Sequence, residues 1–216
     1  MTKALVSPSI LSADFVNLER DVKRLAEWGA DYVHCDVMDG VYVKNLTFGM
    51  PMIKAIKRIS PLPLDVHLMI TEPERYLDEF VSAGADIVTF HPDASRDPER
   101  ALDMLGERGV KRGIVINPDV RLEDYIRLLH KCDVLLVMSV FAGLGGQKFI
   151  PETLDTVRRG KKYILENGLD VIIEIDGGVG AANAATCREA GVDMIVAGSA
   201  VFNASDPAGV VNALRG

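Results

Sequence analysis

Eight short runs rich in apolar and β-branched residues recur along the chain, separated by amphipathic stretches, and this alternation constrains the fold more than any other feature. They are Leu5 to Ile10, Tyr32 to Val37, Leu64 to Met69, Ile87 to Phe90, Gly113 to Ile116, Val134 to Val140, Val171 to Ile175 and Met194 to Ala197. Between them the spacing predicts helices: Phe15, Leu18, Val22 and Leu25 recur at i, i+3, i+7 and i+10, and Leu154, Val157, Ile164 and Leu165 share one face similarly. Asp97-Pro98-Glu99 and Asp206-Pro207 have the form of helix starts, an Asp able to cap and then Pro at the first helical position. Pro73-Glu74 and Pro151-Glu152 mark two more. Gly29-Ala30-Asp31, Gly84-Ala85-Asp86 and Gly191-Val192-Asp193 repeat one helix-to-strand turn, with glycine where a left-handed cap disfavours a β-carbon.

A recurrent turn implies a chain built from similar strand-helix units. The 216 residues divided among eight units leave 27 for each, near the compact end for a (β/α)8 barrel. A doubly wound open sheet competes, but the even spacing and the lack of a glycine-rich dinucleotide fingerprint after the first run favour closure. The expectation is an α/β fold, a TIM (β/α)8 barrel forming a single domain over residues 1–216. Its site would lie at the C-terminal ends of the strands.

Composition narrows the partners. The chain is 48% hydrophobic with only 6% aromatics, so its core is built from Val, Ile, Leu, Ala and Met. Its 24 basic and 31 acidic residues leave a net charge of −7, and the densest basic stretch, Arg158-Arg159-Gly160-Lys161-Lys162, is too short for a nucleic-acid patch. Nowhere do 18 apolar residues run together, and Met1 to Pro8 lack a signal-type core. We therefore expect a soluble cytoplasmic protein with no membrane or nucleic-acid partner; a homo-oligomer is compatible with all of this. Cys35, Cys132 and Cys187 are odd in number and widely spaced, which argues against a disulfide framework or a thiolate zinc site and fits a reducing compartment.

Polar residues at the ends of the runs are the candidates for chemistry. In the second run His34, Asp36 and Met38 share one face, because side chains alternate along a strand. The third run adds His67, and the seventh is followed by Asp176. His34, Asp36, His67 and Asp176 together are a plausible shell for one divalent metal ion such as zinc, iron, manganese or cobalt. Asp65 and Glu174 lie one layer deeper on the same parity and read as buried, paired barrel charges. His91 ends the fourth run and is placed at the mouth, while His130 falls in a helix and at the surface. Gly143-Leu144-Gly145-Gly146-Gln147, Gly177-Gly178 and Gly198-Ser199 follow three consecutive late runs and offer unshielded backbone N–H groups, as a phosphate site of this architecture does. A small anionic phosphoester is the expected ligand.

Nearly end to end, the chain resembles the ribulose-phosphate 3-epimerase family. The resemblance is carried by Pro8-Ser9-Ile10-Leu11-Ser12-Ala13-Asp14-Phe15, His34-Cys35-Asp36-Val37-Met38-Asp39-Gly40, Asn45-Leu46-Thr47, Leu64-Asp65-Val66-His67-Leu68-Met69, Gly145-Gly146-Gln147-Lys148-Phe149, Asp176-Gly177-Gly178-Val179 and Ala197-Gly198-Ser199-Ala200-Val201-Phe202. It implies a TIM barrel that interconverts D-ribulose 5-phosphate and D-xylulose 5-phosphate with one divalent metal. His34, Asp36, His67 and Asp176 would be its ligands, and Asp36 and Asp176 the acid-base pair. It further implies that Ser9, His67, Gly143, Leu144, Gly145, Gly146, Asp176, Gly177, Gly178, Gly198 and Ser199 contact substrate or phosphate. Inverting a carbon beside a ketone needs a base on each face, with a cation stabilising the enediolate between them. Met38, Met69 and Met138 would wall the reacting carbon off from water.

Several positions depart from the family's pattern: Phe141-Ala142 and Leu144 in the sixth loop, Val41-Tyr42-Val43-Lys44 before Asn45 in the second, and Asp93 after His91. These leave the ligands and bases in place but reshape the substrate end, where Phe141 would narrow the pocket. A 3-epimerase of another ketose phosphate, allulose 6-phosphate or a tetrulose phosphate, is therefore the alternative. A non-catalytic phosphosugar-binding barrel fits less well, since a binder needs no opposed carboxylates. The loops Val41 to Asn45 and Phe141 to Lys148 are expected to move on ligand binding.

Overall fold

In the computed structural model, which describes residues 3–216, strands occupy all eight apolar runs. They are β1 (Leu5–Ser7), β2 (Val33–Met38), β3 (Leu64–Met69), β4 (Ile87–Phe90), β5 (Lys111–Ile116), β6 (Val134–Met138), β7 (Ile172–Asp176) and β8 (Met194–Val196). All pairings are parallel and β1 also pairs with β8, so the sheet curls round on itself. Where β1 meets β2 the seam is closed by a parallel bridge between Ser9 and His34 and by the N–H groups of Asp31, Tyr32 and His34 donating to the carbonyls of Val6, Val6 and Pro8. The fold is a TIM barrel.

Around it run α1 (Leu18–Glu27), α2 (Met50–Ile59), α3 (Leu77–Ala83), α4 (Pro98–Glu107), α5 (Thr153–Glu166), α6 (Ala184–Ala190), the one-turn α7 (Ser199–Phe202) and α8 (Pro207–Arg215). The crossover from β5 to β6 is made of 3-10 turns, Leu122–Asp124 and Ile126–Lys131. Asp97 and Asp206 cap α4 and α8 through the N–H groups of Arg100 and Gly209, each with Pro in the first turn, as their sequences predict.

Other local expectations need correction. The first run gives a strand of only three residues because Pro8 has no N–H for the ladder and Ser9 turns the chain into a 3-10 helix, Ile10–Ser12, by accepting the Leu11 N–H. The sixth run stops at Met138, where Ser139 bends away and donates its N–H to the Asp176 carbonyl at 2.7 Å. Pro73 opens a 3-10 turn rather than an α-helix, and Pro151 precedes α5 in a turn. Phe15 lies before α1 in a 3-10 turn at 49% exposure, and Leu165 is 71% exposed. Both belonged to an apolar face on spacing alone; spacing cannot say how far the neighbouring helix reaches.

Two faces of each strand do different work. Val6, Val33, Cys35, Val66, Leu68, Leu135 and Ile173 point outward into one large apolar cluster with the helices. Each such buried side chain contributes roughly 1.5–3 kcal/mol. On the inner parity Ile87, Val134 and Met194 plug the N-terminal end, and Val115, Leu136, Met138 and Val140 line the β5–β6 side. The β1–β2–β3–β7 side is polar instead: Ser7, His34, Asp36, Asp65, His67 and Glu174 are all buried there.

At the N-terminal end the repeated Gly-x-Asp turns reveal a repeat of strand pairs rather than of single strands. Asp31 accepts the N–H of Val6 (2.8 Å), Asp86 that of Leu64 (2.7 Å) and Asp193 that of Ile173 (2.8 Å). Asp133, in a turn without the glycine, does the same for Arg112 (3.0 Å). Each aspartate therefore precedes an even strand and caps the odd one before it. Three also hold a cation from a helix side: Arg215 on Asp31, Lys57 on Asp86 and Lys161 on Asp193. Replacing Asp193 with Ala frees a backbone donor and a lysine together. The substitution is expected to cost about 1–3 kcal/mol in denaturant unfolding, whereas Asp155→Ala on the exposed face of α5 should stay within about 0.5 kcal/mol.

Candidate active site

The inner faces of β2, β3 and β7 rise to the mouth in register, with Asp36 paired to His67 across β2 and β3 and His34 to Asp65 one layer below. That parity brings the four residues singled out as ligands together. Asp36 Oδ1 lies 3.4 Å from His34 Nε2 and 3.3 Å from His67 Nδ1, and Asp176 Oδ2 lies 3.9 and 4.0 Å from the same nitrogens. One donor atom from each of the four falls within 4.8 Å of every other. Both imidazole nitrogens are buried and have no hydrogen-bond partner. Two bare nitrogens and two carboxylates converging on one point are what a divalent cation of the zinc or iron type binds, so the residues present fit such an ion.

Support comes from behind. His34 Nδ1 contacts Asp65 Oδ2 at 2.6 Å, and Ser7 Oγ donates to the same oxygen at 3.0 Å. Glu174 lies alongside, 3.6 Å from His34 Nδ1. Ser9 Oγ donates to Asp36 Oδ2 at 2.6 Å. Thr47 ties down the end of β2 by donating to the Asp36 carbonyl (2.6 Å) and accepting the Met38 N–H (3.0 Å).

The carboxyls are poised differently. Burial alone would raise Asp36, but the His34 imidazole beside it, with His67 close by, holds it well below the usual carboxylate range. Asp176 is pushed up to about 6 by burial and then by the Asp36 charge. Burial works against a charged His34, yet the Asp65 and Asp36 carboxylates lift it well above the ordinary imidazole range. Glu174, buried beside Asp65, is raised well above a normal glutamate.

Above the cluster opens a pocket. Asp36 and Asp176 form its floor, and Met38, Met69 and Met138 stand around them. Ser9, the loop Phe141, Gly143, Leu144, Gly145 and Gly146, and the pairs Gly177-Gly178 and Gly198-Ser199 complete the wall. Every residue expected to contact substrate or phosphate lines this pocket except His67, which is buried with His34 beside Asp36 and Asp176. Gly177 and Gly178 are both left-handed (φ 122° and 63°), and a β-carbon on Gly178 would sit 2.5 Å from the Phe149 nitrogen, so the loop after β7 tolerates no side chain there. Ser139 Oγ pins that loop by donating to the Gly177 carbonyl at 2.7 Å. Gln147 braces the sixth loop through the carbonyls of Phe141 and Leu144.

Other placements differ from expectation. His91 does not line the mouth: it is fully buried behind His67. His130 is exposed, as predicted, and contacts Tyr163. Sequence reasoning missed the ties across the mouth. Asn45 Nδ2 donates to the Gly143 carbonyl (3.0 Å), and the Tyr42 hydroxyl meets Asp93 (3.3 Å) and Asn117 (2.9 Å). Only adjacency to the second-loop motif could have flagged Tyr42 and Asn45.

These features define a (β/α)8 barrel with a buried two-histidine, two-aspartate cluster under a glycine-rimmed pocket. The profile of the ribulose-phosphate 3 epimerase family matches residues 5–202, and the chain belongs to that family. It is 45% identical over 216 residues to the ribulose-phosphate 3-epimerase of Escherichia coli K12, covering 100% of this chain and 96% of that one. The enzyme of the same name from Synechocystis is 46% identical over 213 residues (98% and 93%), and that from Bacillus subtilis 43% over 212 (98% of each). Among solved structures, 3-hexulose-6-phosphate synthase from Salmonella typhimurium superposes with a TM-score of 0.72 at 20% identity, covering 98% and 96%, a likeness of fold. Among the described residues no helix is long and apolar enough to cross a membrane.

The raised Asp176 makes a thermodynamic prediction for chelator-treated protein. A folded value of about 6 against an ordinary 3.8 means that this group's stabilising contribution is full below pH 4 and is lost as pH rises through 6. Asp176→Asn removes that titration. Its stability relative to wild type should therefore increase from pH 4 to 7, by up to roughly 3 kcal/mol; a pH-independent difference in denaturant titrations would contradict the assignment.

Proposed function

We propose that the chain is a divalent-metal-dependent ribulose-phosphate 3-epimerase, interconverting D-ribulose 5-phosphate and D-xylulose 5-phosphate. One observation carries the reading: Asp36 and Asp176 rise from β2 and β7 to one pocket floor, where a carboxylate oxygen of each converges with a nitrogen of His34 and of His67. His34, Asp36, His67 and Asp176 would hold the cation. When bound, it supplies Lewis-acid stabilisation of negative charge developing on the sugar oxygens. In one direction Asp36 takes the proton from C3, leaving an enediolate, and protonated Asp176 returns a proton to the opposite face of that carbon. In the other the two exchange roles. Met38, Met69 and Met138 keep water from the planar intermediate. The backbone N–H groups around Gly177, Gly178, Gly198 and Ser199 receive the phosphate. All three cysteines are buried and unpaired, which supports a reducing, cytoplasmic setting.

A second substrate reading has its own support. Phe141 and Leu144, two departures from the family's pattern, both line the pocket, and they favour discrimination among ketose phosphates at this end. Purified protein assayed against ribulose 5-phosphate, allulose 6-phosphate and tetrulose phosphates should turn over the pentulose fastest, and brisk turnover of another sugar alone would replace it.

Asp36→Asn and Asp176→Asn should each lower epimerisation by roughly 10²–10⁴-fold, as loss of an acid-base group does, with folded far-UV circular dichroism retained. Solvent deuterium should enter C3 in wild type. Absence of exchange would mark a phosphosugar binder.

A further inference from the structure

His91 ends β4 with its ring against His67: the two Nε2 atoms are 2.9 Å apart and the ring centroids 5.1 Å apart. Two imidazole nitrogens at that distance share one proton, one donating and the other accepting. The other nitrogen of His67, Nδ1, is buried without a partner and points at Asp36 and Asp176. A neutral imidazole carries a proton on one nitrogen and a lone pair on the other. Whether Nδ1 of His67 faces the cluster with a lone pair or with a proton is therefore decided at the far side, by whether Nε2 donates or accepts.

We propose that His91 is a positioning residue: by accepting the Nε2–H of His67 it holds that ring in the tautomer whose Nδ1 lone pair is open to a divalent cation. The inference rests on the metal-dependent reading above. It gives the two histidines unlike backing. His34 donates to the Asp65 carboxylate at 2.6 Å, a charged acceptor that strengthens an imidazole as a donor to metal, whereas His67 is backed by another ring. Tyr42 in turn fixes His91. Its ring lies over the imidazole with centroids 4.7 Å apart, and its hydroxyl is held by Asn117 and Asp93. The orientation of one cluster residue is thereby tied to three loops.

Two measurements test this on the full chain. In chelator-treated protein labelled with 15N-histidine, long-range proton-nitrogen spectra should show His67 protonated at Nε2 and bare at Nδ1. In competition with a chelator, His91→Leu should bind Co²⁺ roughly 10–100-fold more weakly than wild type, the usual loss when a partner of a ligand histidine is removed. His91→Gln, whose side-chain carbonyl can accept the same N–H, should restore both the tautomer and affinity. A proton on Nδ1 in wild type, or unchanged Co²⁺ affinity in His91→Leu, would overturn the proposal. Should His91→Leu fail to fold, the wild-type and His91→Gln spectra decide alone. No Co²⁺ uptake by wild type would sink the metal reading by itself, leaving the spectra to judge the tautomer.

Discussion

The mouth of the barrel depends on Asp36 being held as an anion with almost no access to water. Burying a carboxylate costs several kcal/mol unless hydrogen bonds and opposite charge offset it. Here the offset comes from the Ser9 hydroxyl on one oxygen and from the His34 imidazole beside the other. Ser9 also forms the single bridge that joins the end of β1 to β2. The residue that closes the barrel at its thinnest seam is thus the residue that satisfies the buried charge. Loosening the seam would leave Asp36 short of a partner, and removing Asp36 would leave the seam to its backbone hydrogen bonds alone.

The broad fold was legible because eight apolar runs can be counted, and because inward and outward faces follow from a period of two. The same period placed His34, Asp36, His67 and Asp176 on one side, and the deeper pair Asp65 and Glu174 beneath them. What parity could not convey is where a strand stops. Pro8 ends its strand through a donor missing from the residue itself, and Ser139 bends where its N–H and hydroxyl both meet the Asp176 carbonyl, a partner outside the run. His91 shows the complementary limit. It ends the fourth run as expected, but its depth depended on Tyr42 from another loop covering it.

The loop contacts were illegible for a related reason. Asn45 reaches Gly143 across 98 positions of sequence, and Tyr42 reaches Asn117 across 75. Neither pair has a local signature. They nevertheless shape the pocket: Val43 packs against Gly143 so closely that a β-carbon there would lie 2.9 Å away. Tyr42 and Val43 belong to the stretch that departs from the family's pattern, while Gly143 lies beside two further departures, Phe141 and Leu144. The departures therefore meet in space as well as differing in sequence, and a change in one loop constrains what the other accepts.

The two ends of the barrel handle their acidic residues in opposite ways. At the N-terminal end Asp31, Asp86 and Asp193 each receive a backbone N–H and an arginine or lysine, so their charge is neutralised locally and is structural. At the C-terminal end Asp36 meets the Ser9 hydroxyl and two imidazoles but, among the described residues, no arginine or lysine, and burial together with the Asp36 charge raises Asp176. A lysine at the mouth, placed as Lys161 is beside Asp193, would ionise both carboxyls and occupy the point where their oxygens converge. The net charge of −7 counts paired and unpaired carboxylates alike and so carries no trace of this division. What an incoming anion meets is decided locally, by bare backbone N–H groups on the glycine rim, and the field of the whole chain has little say at that range.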